Sequence, residues 1–232
     1  MKQGDYEMMK MIRPAAIIVL FAILLSGCGQ AEAPKDIRES TLVIDESGRV
    51  TAYLVEEFDK NYYNLSELTA MVQEDAAIFG SSETDSEKVK IVSVKTMEDD
   101  SSRVVVTYQF DSTGSYEELI KDQLFYGTVA EAIQSGYCNG VTLKSVKDQT
   151  LMTEADLLQR MEDSLIIYYP ELVQPEEVKL NPEAEEQRQI VIYCPDEVGF
   201  VSQGTVVNQD GSVSITWVEG SDYEPVYMLL GK

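Results

Sequence analysis

From Lys88 to Met97 (KVKIVSVKTM) apolar and polar residues alternate, the period of a half-buried strand. Arg103 to Asp111 (RVVVTYQFD) is a second strand-like run, and Glu98 to Ser102 between them is acidic and polar, so the two predict a hairpin. Thr41–Asp45 and Val50–Val55 predict another, joined by Glu46–Arg49 with Gly48 available for a positive φ. Helical periodicity begins after Asn64, which can cap a helix with Glu67 as reciprocal partner. Leu65, Leu68, Val72, Ala76 and Phe79 then fall on one face, and Gly80 stops it. Thr128 and Glu131 form a second capping box for a short helix ending at Gly136. A third helix is expected from Thr153 to Pro170, with Leu157, Leu158, Met161, Leu165 and Tyr168 inward. Residues 114–126 fit helix and strand equally.

The tail reads as strands at 189–194, 204–207, 212–218 and 225–230, with Asn208–Gly211 as a hairpin turn. Together these elements predict an α+β fold, mainly antiparallel strands and hairpins, with about three helices and a β-rich C-terminal part. No repeat of solenoid period is present. The Pro- and Glu-rich stretch 170–188 is where two subdomains would meet, if the exported domain has two.

The beginning of the chain follows a different pattern. Ala15–Leu25 (AAIIVLFAILL) is an unbroken apolar run, shorter than the roughly 20 residues that span a bilayer. Lys10 and Arg13 precede it, and the whole matches a signal peptide. Asp5 and Glu7 are unusual in such a position, and Met8, Met9 and Met11 offer alternative starts beside Met1. Leu25-Ser26-Gly27-Cys28 follows and resembles the lipobox of bacterial lipoproteins. The resemblance implies recognition of Leu25, Ser26 and Gly27 by lipoprotein signal peptidase, acylation of the Cys28 thiol and cleavage before it. It covers the signal peptide alone.

On this reading residues 1–27 are removed, 28–40 are acylated Cys and flexible tether, and 41–232 form the exported domain. The tether, extended, reaches at most about 40 Å. Removing three basic and two acidic residues from 18 and 41 leaves 15 and 39, so the mature net charge is −24. Such a chain is repelled by anionic lipid and by nucleic acid, which leaves the acyl chains as the expected link to the membrane. The expected location is therefore the extracytoplasmic face of a cell membrane, lipid-anchored and monomeric.

The chain contains no His. That removes Ser-His-Asp and Cys-His hydrolases, His-ligated metals and imidazole proton transfer. Acidic pairs at Glu56–Glu57, Glu98–Asp100, Glu117–Glu118, Glu176–Glu177, Glu185–Glu186 and Asp196–Glu197 could supply glycosidase carboxylates or calcium ligands. Neighbours in sequence point apart on strands, however, and most of these pairs lie at element ends, where they are solvated. Asn208-x-Asp210-Gly211 fails the EF-hand pattern because Val206 occupies the first ligand position. No metal, cofactor or catalytic residue is nominated. Cys138 and Cys194 are candidates for one disulfide or for buried thiols. Tyr62, Tyr63, Tyr168, Tyr169, Tyr223 and Tyr227 could form a sugar-stacking platform or simply core. The expectation is a non-catalytic binding or envelope-structural module with a protein or envelope partner. Its alternatives are a carboxylate-dependent cell-wall glycan hydrolase and a small solute-binding lipoprotein.

Overall fold

The computed structural model describes residues 34, 36–80, 88–161, 163–170, 187–218 and 224–231. The signal peptide, Cys28 and the Glu pairs at 176–177 and 185–186 lie outside the described residues. Among the described residues there are 13 strands in two sheets and four helices, an α+β fold with a β-rich C-terminal part.

Both predicted N-terminal hairpins form. Strands β1 (Ser40–Ile44) and β2 (Val50–Glu57) pair through a turn in which Gly48 has φ +80°. Asp45 organises that turn by accepting from the Ser47 and Arg49 amides at 2.8 and 3.1 Å. Strands β3 (Val89–Thr96) and β4 (Arg103–Phe110) form the second hairpin. Between β2 and β3 lies α1 (Leu65–Gly80), whose Asn64 side chain accepts from the Ser66 and Glu67 amides as the capping pattern requires. Val72 is buried, and Ala76 and Phe79 pack against the core, so the expected face is the packed one.

The region left ambiguous divides into α2 (Thr113–Ile120) and β5 (Phe125–Thr128). Helix α3 (Val129–Gln134) carries the predicted capping box of Thr128 and Glu131. Strands β6 (Thr142–Ser145) and β7 (Leu151–Thr153) follow, and neither is evident in the hydrophobic pattern. The third predicted helix is corrected. Helix α4 spans only Glu154–Arg160, and Leu165–Tyr169 is strand β8. Its sequence LIIYY is apolar throughout because β8 lies inside a sheet covered on both faces, which hides the two-residue period. Beyond it lie β9 (Gln187–Tyr193), β10 (Val198–Ser202), β11 (Val206–Val207), β12 (Val213–Val218) and β13 (Val226–Leu230).

One sheet has the order β11-β12-β9-β1-β2-β4-β3, and the other β5-β8-β13-β10-β6-β7. All pairings are antiparallel except β1 with β9. Each sheet therefore takes strands from both sides of the stretch 170–188, and the described residues fall in one compact unit. The main core lies between the sheets. Leu42, Ile44, Phe110 and Ile192 from the first meet Ile167, Val201 and Met228 from the second. A smaller core on the far side of the second sheet holds Ile166, Tyr227 and Leu229 against Val129, Ala132 and Leu157 of α3 and α4. Among the described residues no helix is long and apolar enough to cross a membrane.

Candidate functional site at the mouth of the sandwich

Strand register places a set of side chains at one end of the space between the sheets. Alternation along β2 turns Ala52, Leu54 and Glu56 toward the second sheet, so its inward face ends in a carboxylate. By the same parity Trp217 ends the inward face of β12, beyond Val213 and Ile215. Tyr169 ends that of β8, beyond Ile167. These ends enclose a hollow of about 470 Å³, completed by Tyr116 and Ile120 of α2, Asp122 after it, and Glu39, Glu57 and Arg103 at the rim.

Asp122 is the best-defined polar group of the hollow. The Tyr169 hydroxyl donates to its Oδ2 at 2.6 Å, and the Tyr116 side chain also hydrogen-bonds it. Burial pushes its carboxyl above the ordinary 3.8, against the pull of the Tyr169, Tyr116 and Gln123 hydrogen bonds. Tyr116 itself is locked, since it is buried and meets Phe110 edge-on at 5.5 Å between centroids. At the rim the Arg103 guanidinium lies 3.5 Å from Glu39 and 3.4 Å from Glu57, and donates to the Arg38 carbonyl at 2.9 Å. The arrangement is an amphipathic recess: aromatic walls, a fixed, half-buried carboxyl inside, and charged groups at the opening.

A second hollow of similar volume lies on the outer face of the first sheet, over Tyr53, Val92, Met97 and Val105. The segment preceding β1 runs beside it, and Ile37 packs on Val55, Met97 and Val105 there.

The acidic pairs mostly build turns or face solvent. Asp100 accepts from Ser102 in the β3–β4 turn, and Glu118 lies 3.4 Å from Lys88. Asp210 accepts from Ser212 and from the Tyr193 hydroxyl, so the calcium-like string is a hairpin turn. Glu56–Glu57 joins the hollow at the mouth, and Glu98 and Asp99 line the one on the outer face of the first sheet.

The tyrosines fall into three groups. Tyr62 and Tyr63 sit on the exposed β2–α1 loop, with Tyr63 stacked on Phe58. Tyr168 and Tyr227 join Tyr137 and Phe125 under the helices. Of the tyrosine candidates among the described residues, Tyr169 alone reaches the mouth, where it joins Tyr116, and Tyr223 lies outside the described residues. The disulfide that the sequence allowed is absent: Cys138 and Cys194 are both free thiols. Cys138 packs in the helix-side core and Cys194 against the core between the sheets, so sheet strands separate them.

Asp122, Arg103, Tyr116 and Trp217 were not candidates in the sequence. Asp122 falls in the stretch of ambiguous period, and Trp217 is one residue of an ordinary strand. The available signal was parity, which puts Trp217 on the same strand face as Val213 and Ile215. Comparison with family models, characterised proteins and solved structures finds no match for this chain.

Proposed function

We propose that this chain is a lipid-anchored protein of the extracytoplasmic face of a bacterial membrane that binds a ligand without transforming it. The anchor rests on Leu25-Ser26-Gly27-Cys28 behind a short apolar run. The binding reading rests on one observation: Trp217 and Tyr169, from different sheets, line one hollow around a carboxyl held by two phenols. A recess with rigid aromatic walls and few fixed polar groups suits recognition. Asp122 receives hydrogen bonds from neighbouring protein groups, which orients it as an anchor for Tyr169 more than as a proton donor to a substrate.

A second reading keeps some support. A glycan hydrolase needs one carboxyl of raised pKa near an ionised partner, and Asp122 shares its hollow with Glu39, Glu56 and Glu57. Release of reducing ends from purified peptidoglycan, assayed from about pH 4 to 8 where a carboxyl pair would cycle, separates the readings. We expect none. Activity abolished by Asp122→Asn with the fold retained by circular dichroism would establish the hydrolase. The anchor has its own test. Cys28→Ala should abolish fatty-acid labelling and leave uncut precursor or released protein, whereas unchanged labelling and membrane fractionation would refute it.

A further inference from the structure

The chain enters the fold at a defined corner. Ile37 packs on Val55, Met97 and Val105, and Arg103 Nη1 donates to the Arg38 carbonyl at 2.9 Å. Antiparallel pairing sets the start of β1 beside the end of β2, where the Val55 amide donates to Ser40 Oγ at 3.0 Å. The loop that leaves β2 for α1 therefore begins at this same corner. Phe58 lies three residues past Val55, roughly 10 Å along an extended strand.

That loop is aromatic and held at both ends. The Phe58 amide donates to the Ser102 carbonyl, the Tyr63 amide donates to the Lys60 carbonyl at 3.0 Å, and Asn64 caps α1 directly afterwards. Tyr63 stacks on Phe58 at 5.1 Å between centroids, and Tyr62 meets Tyr63 edge-on at 4.9 Å. Tyr62 is 72% exposed and Tyr63 44%, so an ordered aromatic cluster stands in solvent. The loop's own charges, Asp59 and Lys60, pair at 2.9 Å.

Processing before Cys28 leaves nine residues from there to Ile37, a reach of at most about 30 Å. The opposite end of the β1–β2 hairpin, at Glu46, is about 26 Å from the corner, the length of the eight-residue β2. Holding the corner near the bilayer makes contact between this loop and lipid an intramolecular event, so groups of weak individual affinity suffice. Tyrosine suits that contact: the ring enters the apolar edge of the headgroup layer while the hydroxyl stays hydrated. Anionic lipid repels the acidic chain, so the surface that shows the contact is a zwitterionic one.

We infer that the loop from Phe58 to Tyr63 dips into the headgroup layer of the membrane that holds the acyl chains. This rests on the reading of Cys28 as lipidated.

The experiment uses the processed, acylated protein in phosphatidylcholine vesicles, with a nitroxide on Asn61→Cys or, as reference, on Glu46→Cys, both exposed positions. Cys138 and Cys194 pack in the cores and stay unlabelled. A nickel chelate, excluded from the apolar layer, should collide severalfold less often with the Asn61 label than with the Glu46 label, and oxygen, which concentrates in lipid, more often. Tyr62 is exposed, so Tyr62→Ser should keep the fold and return the Asn61 label to the Glu46 level, whereas Tyr62→Trp should keep it shielded. Equal accessibility at the two positions, in protein that floats with the vesicles and carries fatty acid, overturns the inference, leaves the anchor standing and turns the loop over to a protein partner. Unchanged shielding in Tyr62→Ser overturns it as well. Protein that neither floats nor carries fatty acid refutes the anchor, and the inference falls with it.

Discussion

Asp122 shows how one side chain couples the fold to the candidate site. It anchors Tyr169 at the end of β8 and is reached by Tyr116 from α2, so it ties the second sheet to the helix at the mouth. Burial raises its pKa, which means the folded protein favours the protonated form. Its stabilising contribution is therefore complete below the ordinary Asp value of 3.8 and is lost as pH rises through the raised folded value. Asn can still accept from one phenol and never ionises. The stability of Asp122→Asn relative to the parent should thus improve as pH rises from about 4 to 7, read from urea midpoints at the two values. A relative stability that falls or stays constant over that interval would show that burial does not penalise this charge. The turn and cap carboxylates behave oppositely. The hydrogen bonds of Asp100, Glu131 and Asp148 hold their carboxyls below the ordinary range, so their contributions are lost as pH falls. Asp45 joins them because the Ser47 and Arg49 hydrogen bonds outweigh its desolvation.

Elements in this chain are held by two different kinds of constraint. Helix α3 is short, and its Thr128–Glu131 box satisfies amide groups that would otherwise be left over. Thr128→Ala should cost about 1 kcal/mol, the usual worth of a cap. Strand β10 depends on space instead. A Cβ on Gly199 would run into the carbonyl oxygen of Gly231, and the β10–β13 register shifts between Val198 and Phe200. Backbone cannot yield as a flexible side chain does, so Gly199→Ala should cost about 1–3 kcal/mol, no less than the cap. Chemical denaturation of both variants checks the order. A Gly199→Ala protein as stable as the parent would mean that the β10–β13 pairing gives way freely there.

At the scale of the whole molecule, two cores share one sheet. β8 and β13 contribute Ile167 and Met228 to the core between the sheets, and Ile166 and Leu229 to the core under the helices. The two cores should therefore unfold together, and the thiols report it, one from each side. Burial pushes Cys138 up to about 11 and Cys194 up to about 12. A thiol-specific reagent near pH 8 should label neither in the folded protein and both after denaturation, at one denaturant midpoint, because only the thiolate reacts. Rapid labelling of Cys138 alone would show that the helix layer opens independently.

Local chemistry made much of this protein readable without coordinates. Hairpin turns, the Asn64 and Thr128 caps and the apolar face of α1 depend on residues a few positions apart, so their signals survive in the sequence. The motif at Cys28 is equally local. Where an element is covered on both faces the signal fails: β8 loses its alternation and reads as the continuation of a helix. The separation of the two cysteines was likewise invisible, because spacing does not say on which side of a sheet each will lie. The mouth belongs wholly to tertiary structure. It needs β1 beside β9, Trp217 at the end of a late strand, Tyr169 from the opposite sheet and Asp122 from a connecting loop. Those residues become neighbours only when the hydrophobic faces of two sheets close on each other, and that free energy depends on the summed apolar area, not on any motif.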